Sequence, residues 1–228
     1  MARTRRCTPG GLVYHVLNRA ARKAALFNCA NDYDAFLQVL TEAKSRVPVR
    51  ILAYIVMPNH WHLLLWPSGD TELSRFMHWL TTTHSCRWNL SRGRSGEGAV
   101  YQSRFKSIPV QNDMHLLRVW RYVERNALRA NLVRRAEDWP WSSLCHCGGG
   151  AGFKVDEGPI RLPPDWIEIV NQPQTESEVA AIRAATAREI PFGTDDWKRA
   201  AGLPLSPARP RGRPRCALPG TPRDLRFT

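Results

Sequence analysis

Residues 57–67 read MPNHWHLLLWP and place two histidines, His60 and His62, in a run that is otherwise typical of a buried strand. Side chains alternate between the two faces of a strand, so both imidazoles point to one face and Trp61 points to the other. Burying two polar rings costs free energy unless something satisfies them. The spacing therefore predicts a two-histidine metal platform, although an ordinary pair of hydrogen-bonded core histidines fits the same residues.

The charge of the chain indicates the class of partner. The 228 residues include 33 Lys and Arg against 20 Asp and Glu, a net charge of +13. Such a surplus favours a polyanion, with nucleic acid first and an anionic membrane surface second; a merely soluble basic protein is the alternative. No run approaches the roughly twenty apolar residues of a membrane span, and no hydrophobic segment follows the basic amino terminus, so neither a span nor a secretory signal is expected.

The six cysteines are scattered without a framework pattern, which favours reduced thiols in the cytoplasm. Two of them lie in the stretch CHCGGG, where no second pair of ligands stands at zinc-binding spacing. A zinc site is therefore not expected there.

The hydrophobic pattern alternates between strands and helices. Strands are predicted at 12–20, 49–56 and 60–66, the last two as a hairpin that turns at Pro58-Asn59, and a strand or extended segment is predicted at 99–110. Helices are predicted at 31–47, at 71–92, at 112–133 as one long helix, and at 176–190. This order predicts an α+β fold, an antiparallel sheet with helices packed on it. We predict a main domain over residues 1–147, a helical extension over 148–202, and a basic, Pro- and Arg-rich flexible tail over 203–228.

The predicted third helix carries a possible nucleophile. Tyr122 and Asn126 are four residues apart and share one helix face, with Arg118, Arg125 and Arg129 around them. A tyrosine hydroxyl is a weak nucleophile at neutral pH, but neighbouring cations and a divalent metal would help it attack a phosphodiester. A tyrosine packed in the core with its hydroxyl at the rim is the ordinary alternative.

Four stretches in order, AYIVMPNHWHLLLWP, YQSRFKSIPV, RYVERNALRANLV and EDWPWSS, closely resemble the REP-associated tyrosine transposases of the HUH endonuclease superfamily. The resemblance covers roughly residues 9–145. It implies a ferredoxin-like fold, with cleavage and rejoining of single-stranded DNA at hairpin-forming repeats through a 5′-phosphotyrosine link. It implies that Tyr122 is the nucleophile and that His60, His62 and Asn126 bind Mg²⁺ or Mn²⁺. The family often has Asn-Pro where this chain has Asn126-Ala127, so a proline kink is missing but no ligand is lost.

Basic side chains outside the metal site are candidate DNA contacts. The tail sequence RPRGRPR has arginine at every second place, a spacing typical of arms that enter narrow minor grooves, although a generic basic tail fits as well. The full predicted set is Arg104, Lys106, Arg118, Arg125, Arg129, Arg209, Arg211, Arg213 and Arg215. Trp139 and Trp141 could stack on unpaired bases, but plugging the core is the favoured interpretation.

The leading functional hypothesis is a metal-dependent, tyrosine-nucleophile DNA endonuclease and strand transferase. Two competitors remain: a metal nuclease that uses water, and a non-catalytic DNA-binding module. A monomer is favoured over a homodimer, and the expected location is the cytoplasm, in association with the nucleoid.

Overall fold

Four strands form one antiparallel sheet. The computed structural model describes residues 8–21, 25–96, 98–145 and 154–206. Strands β1 (Val13–Arg19), β2 (Arg50–Met57), β3 (His60–Trp66) and β4 (Lys106–Val110) are ordered β2-β3-β1-β4, with every neighbouring pair antiparallel. This order, with helices between the strands, is that of a ferredoxin-like sheet. The α+β fold predicted from the sequence is confirmed.

The described ranges contain seven α-helices, several of which pack against this sheet. They are α1 (Ala30–Arg46), α2 (Glu72–Ser91), α3 (Met114–Glu124), α4 (Asn126–Arg129), α5 (Trp166–Asn171), α6 (Glu176–Arg188) and α7 (Asp195–Ala200). Helices α1 and α2 lie on the Trp61 face of the sheet, where the rings of Phe36 and Trp61 are 5.7 Å apart. Helix α3 lies on the opposite face, the one that carries the two histidines of β3.

Trp61 fixes β3 to the α1–α2 side of the sheet. Its side chain is fully buried, and its indole Nε1 donates to the hydroxyl of Tyr101 at 3.1 Å. An indole can only donate, so the Tyr101 hydroxyl is left to donate to Nδ1 of His84 at 2.7 Å. Burial lowers the pKa of His84 to about 3, which keeps this imidazole neutral and able to accept.

Both edge strands of the sheet are covered by later parts of the chain. Along β2, the backbone of Val56 donates to Trp141 and that of Asp156 donates to Ile51. Along β4, the backbone N–H of Phe192 donates to the carbonyl of Pro109, and the carbonyl of Phe192 accepts from the backbone N–H of Gln111. Unpaired edges are the usual route to strand addition by another chain, and here both edges have partners.

The residues that follow the ferredoxin-like part share its hydrophobic core. Trp166, Val170 and Ile182 from α5 and α6 are buried in the same cluster as the sheet. Trp139 donates to the carbonyl of Val56, and the ring of Trp141 stacks on Tyr33 at 3.9 Å. These two tryptophans therefore close the core, as the favoured interpretation predicted. Within the described ranges, no helix has both the length and the apolar character needed to cross a bilayer.

The structure refines two predicted elements. The strand or extended segment predicted at 99–110 is a regular strand only over Lys106–Val110, because Tyr101 turns into the core to reach Trp61 and forms only an isolated bridge to Ala20. The long helix predicted at 112–133 is interrupted at Arg125, which separates α3 from α4. Helical hydrogen bonds continue on both sides of Arg125, so the interruption is a local turn without proline.

The neutral, buried His84 predicts a specific dependence of stability on pH. Its pKa is lower in the folded chain than the usual 6.5, so the unfolded state binds the proton more tightly and the free energy of unfolding falls as pH drops below 6.5. The contribution approaches about 1.4 kcal/mol per pH unit. In urea unfolding at pH 6.5 and 5.0, His84→Gln should lose less stability on acidification than the wild type. His78→Gln, at an exposed position on the same helix, should retain the wild-type slope. An unchanged slope for His84→Gln would contradict this account.

Candidate active site

The two histidines of β3 lie side by side on one face of the sheet. Their ring centroids are 5.1 Å apart and the ring planes are nearly perpendicular. His62 is buried with 4% of its surface exposed, whereas His60 is half-buried near the hairpin turn. The predicted projection of both rings to one face, away from Trp61, is confirmed.

Both rings use the same nitrogen for their hydrogen bond within the protein. Nδ1 of His60 lies 2.7 Å from Oδ1 of Asn59, and Nδ1 of His62 lies 2.8 Å from Nε2 of His15. An amide oxygen only accepts, so Nδ1 of His60 carries the proton and Nε2 keeps its lone pair. This is the arrangement in which an imidazole is oriented by one nitrogen and can bind a metal through the other.

His15 is a site residue that the sequence analysis missed. It lies on β1, is buried, and stacks on His62 with ring centroids 5.0 Å apart. It shares a face with His62 because β1 and β3 are neighbours and His15 is paired with Leu64. The available signal was the histidine in VYHVLNR, a β-rich stretch, but the sequence alone did not say which strand would lie beside it.

All three imidazoles are held in the neutral form that metal binding requires. Burial, assisted by the nearby charge of Arg129, lowers the pKa of His15 to about 3. Burial and the charges of Arg19 and Arg129 lower the pKa of His60 to about 4. The pKa of His62 is well below its usual value because of burial, reinforced by the two neighbouring imidazoles and Arg129.

Tyr122 faces these histidines from α3 of the same chain. Its ring centroid lies 6.0 Å from the ring of His62 and 6.0 Å from that of His15, in edge-on contact with each. The guanidinium of Arg129 lies over the Tyr122 ring, 4.0 Å from its centroid. The structure therefore brings together Tyr122, the predicted nucleophile, His62, a predicted metal ligand, and Arg129, a predicted DNA contact.

Asn126 begins α4 directly after the turn at Arg125. It is buried, with 5% of its surface exposed, and its Nδ2 has no hydrogen-bond partner in the described structure. The unpartnered group is an N–H donor, whose burial costs free energy and favours an acceptor such as a phosphate oxygen, whereas a cation would be bound by the amide oxygen Oδ1. Among the described residues, no cluster of three or more His, Cys, Asp or Glu side chains could hold a metal. The predicted ligand set of His60, His62 and the Asn126 amide oxygen is of a different kind. Its two nitrogen ligands suit Mg²⁺ or Mn²⁺ less well than a set made only of oxygen ligands would.

The segment that carries Tyr122 is braced by α5 and the turn after it. The guanidinium of Arg121 donates to the carbonyl of Gln172 at 2.7 Å, and that of Arg125 donates to Val170 at 3.0 Å and to Asn171. Cations at the carboxyl end of a helix satisfy its free carbonyls and its dipole. These contacts give Arg125 a structural task that the sequence did not predict.

Between these two arginines, Glu124 buries its carboxylate at the contact with α5. It accepts hydrogen bonds from the indoles of Trp120 and Trp166 and from the hydroxyl of Ser143, at 3.2, 2.7 and 2.8 Å. Burial raises the pKa of Glu124, and the three donors oppose that rise. The helix of Tyr122 is thus tied to the later part of the chain through Arg121, Glu124 and Arg125.

The remaining predicted DNA contacts lie in different surroundings. Lys106 donates to the carbonyls of Thr186 and Ala187 at the end of α6, and Arg118 lies 3.5 Å from Glu178. Arg104 is exposed and lines a groove beside α2. The tail residues Arg209, Arg211, Arg213 and Arg215 lie outside the described residues. A DNA-binding role for each of these side chains stays a prediction.

Arg19 is a second residue that the sequence analysis did not select. It ends β1, is exposed, and is paired with His60 across the β1–β3 ladder. Paired residues of an antiparallel ladder point to the same face, so Arg19 lies at the solvent side of the two histidines. A phosphate approaching His60 would meet this guanidinium.

A ferredoxin-like sheet that presents paired imidazoles to a tyrosine on the neighbouring helix defines the HUH class of DNA-processing enzymes. The family model described as "Transposase IS200 like" matches residues 10–126, just over half of the chain. The chain therefore belongs to the IS200-like transposase family, and it is a tyrosine transposase, an enzyme that cuts and rejoins DNA. The resemblance noted from the sequence is confirmed.

Individual relatives agree with this assignment. An Escherichia coli K12 protein named REP-associated tyrosine transposase is 25% identical over 161 residues, covering 69% of this chain and 85% of the relative. A Haemophilus influenzae protein, named as a candidate member of the same group, is 26% identical over 168 residues, covering 70% and 89%. A solved structure of a REP-associated tyrosine transposase bound to a REP hairpin has a TM-score of 0.52 and 20% identity, covering 68% of this chain and 93% of that one. This last likeness shows that the fold is shared.

The hydrogen bonds from Arg125 to the end of α5 predict that this side chain stabilises the folded chain. Arg125→Ala removes hydrogen bonds from a charged group to two helix-terminal carbonyls, so the free energy of unfolding should fall by about 1–2 kcal/mol. Arg104→Ala, at an exposed position, should change it by less than about 0.5 kcal/mol. Urea unfolding of both variants under one condition measures the difference. Equal effects would show that the contact with α5 does not stabilise the chain.

Proposed function

We propose that this chain cleaves and rejoins single-stranded DNA at hairpin-forming repeats, with Tyr122 as the nucleophile. The observation that carries the proposal is the position of the Tyr122 ring, 6.0 Å from the ring of His62 in the same chain. The family assignment supports the same interpretation, because the match includes β3, Tyr122 and Asn126. The hairpin bound by the structural relative supports the choice of substrate, although it was observed with that protein.

In the proposed reaction, the hydroxyl oxygen of Tyr122 attacks the phosphorus of the scissile phosphodiester and loses its proton. A new bond forms between this oxygen and phosphorus while the bond from phosphorus to the 3′ oxygen breaks. The 3′ oxygen takes up a proton and leaves as a free hydroxyl, and the 5′ phosphate stays on Tyr122. Attack by a 3′ hydroxyl on this link reverses the exchange, so cleavage and rejoining conserve the phosphoester bond.

The proposed metal ligands are His60, His62 and Asn126, with Mg²⁺ or Mn²⁺ as the ion. A divalent cation bound there would withdraw charge from the phosphate oxygens. The residues of the chain contribute separately. Arg129 places a positive charge against the ring of Tyr122, where negative charge develops on the phenol oxygen in the reverse reaction. Arg19 offers a guanidinium to the phosphate on the solvent side of His60.

We further propose that one chain forms a complete site and acts as a monomer. Tyr122 meets His62 of its own chain, and both edges of the sheet are covered by residues 141–143, 156 and 192. A dimer formed by pairing sheet edges would have to displace these segments first.

Replacing Tyr122 by Phe tests the nucleophile. With a single-stranded oligonucleotide that carries the hairpin repeat, and with Mn²⁺, the wild type should form a protein–DNA adduct that survives denaturation. Tyr122→Phe should form none and should cut at least about a thousand-fold more slowly, because the attacking oxygen is gone. Tyr33→Phe, a buried tyrosine on the Trp141 side, is the matched control and should keep the adduct. Continued cutting by Tyr122→Phe without an adduct would instead support a nuclease that uses water.

A mixing experiment tests whether the site lies within one chain. Equal amounts of Tyr122→Phe and His60→Ala, each inactive alone, should remain inactive together, because neither chain contains both the phenol and the paired imidazoles. The wild type mixed with either variant is the control and should keep its own rate per active chain. Recovery of adduct in the mixture of the two variants would show that tyrosine and histidines come from different chains, and would contradict the monomeric site.

A further inference from the structure

His15 occupies a position that the proposed reaction does not explain. It is 1% exposed, and Nε2 of its ring lies 2.8 Å from Nδ1 of His62, a residue 47 positions away in sequence. The two rings are stacked with an interplanar angle of 19°. A polar ring buried in this way costs free energy unless its hydrogen bond serves the fold or the site. Leucine or isoleucine would fill the same place on a buried strand without the free-energy cost of desolvating a polar ring.

The hydrogen bond between His15 and His62 can carry its proton on either ring. If His15 donates from Nε2, Nδ1 of His62 accepts, and the proton of neutral His62 then sits on Nε2, where it blocks metal binding. If His62 donates from Nδ1, its Nε2 keeps a lone pair, as Nε2 of His60 does beside Asn59. Only the second arrangement lets the two β3 histidines bind a cation through equivalent nitrogens.

We propose that His15 is a positioning residue that accepts the Nδ1 proton of His62 and so sets the tautomer and ring orientation that bind the metal. This inference rests on the proposed metal site and adds a residue outside the ligand set. The role corresponds to the acceptors that orient metal-binding histidines, whose loss commonly weakens metal affinity by about 10- to 100-fold. His15 acts through His62 and touches neither the substrate nor the ion.

The geometry separates this role from that of a third ligand. Nε2 of His15 is directed at Nδ1 of His62, so in the proposed arrangement its lone pair accepts the His62 proton and is not available to the ion. Asn59 plays the equivalent part for His60 from the turn of the hairpin. Each ligand candidate thus has its own acceptor, one from the turn and one from the neighbouring strand.

A matched pair of variants at residue 15 tests the proposal. Glutamine can place an acceptor near the position of Nε2, whereas methionine fills a similar volume without a comparable acceptor. Binding of Mn²⁺ to the full chain, measured by the electron paramagnetic resonance signal of the free ion, should be about 10- to 100-fold weaker in His15→Met and within a few-fold of wild type in His15→Gln. Adduct formation by His15→Met should recover at high Mn²⁺, and binding of the hairpin oligonucleotide in EDTA should be unchanged.

A second measurement needs no variant at residue 15. In the metal-free wild type, ¹⁵N shifts of the histidine rings should show His62 protonated at Nδ1 and unprotonated at Nε2. His62 protonated at Nε2, or equal Mn²⁺ affinity in the wild type and His15→Met, would overturn the role of His15 and leave the metal site standing. Failure of the wild type to bind Mn²⁺, alone or with the oligonucleotide, would overturn the metal site as well.

Discussion

The register of β3 is the constraint on which the site depends. Trp61, Leu63 and Leu65 are fully buried on the α1–α2 side, while His60 and His62 face α3. A slip of one residue would exchange these faces and put both imidazoles into an apolar core. Hydrogen bonds to β1 on one side and β2 on the other hold the strand, and the indole bond to Tyr101 fixes the residue between the histidines. The histidine pair is therefore positioned by packing on the opposite face of the sheet.

The helix that carries Tyr122 is held in place by residues that lie beyond the family match. The match ends at Asn126, but the side chains that flank Tyr122 on its helix bind α5, which begins forty residues later. Glu124 and Arg125 lie at the junction of α3 and α4, and both form hydrogen bonds with residues of α5. The turn that starts α4 at Asn126 thus forms without the proline that the family often has there. In this chain, long-range side-chain contacts support a local change that a proline could otherwise impose.

The sequence predicted the elements with strong local signals and missed those set by distant contacts. The hairpin of β2 and β3 was predicted within one residue, because its two apolar runs and the Pro58-Asn59 turn between them are local features. The turn at Arg125 has no such local signal, and the carbonyls that Arg125 binds belong to α5, far away in the sequence. His15 was missed for the same reason: a histidine in a strand becomes a site residue only when the neighbouring strand is known. Tyr122 and Asn126 were found because four-residue spacing on a helix is also local, but their approach to β3 required the fold.

Net charge was the least specific guide to where DNA would bind. Lys106, Arg121 and Arg125 donate to carbonyls at the ends of α5 and α6, where a cation is favoured by the helix dipole as well as by hydrogen bonding. Charges used in this way still add to the long-range field that attracts a polyanion. Arg19 and Arg129 are the two arginines whose charges lower the pKa of His60, and they are our proposed cations at the site. The net charge of +13 therefore attracts a polyanion at long range, whereas the contact of the Arg129 guanidinium with the Tyr122 ring places one of these charges at the proposed nucleophile.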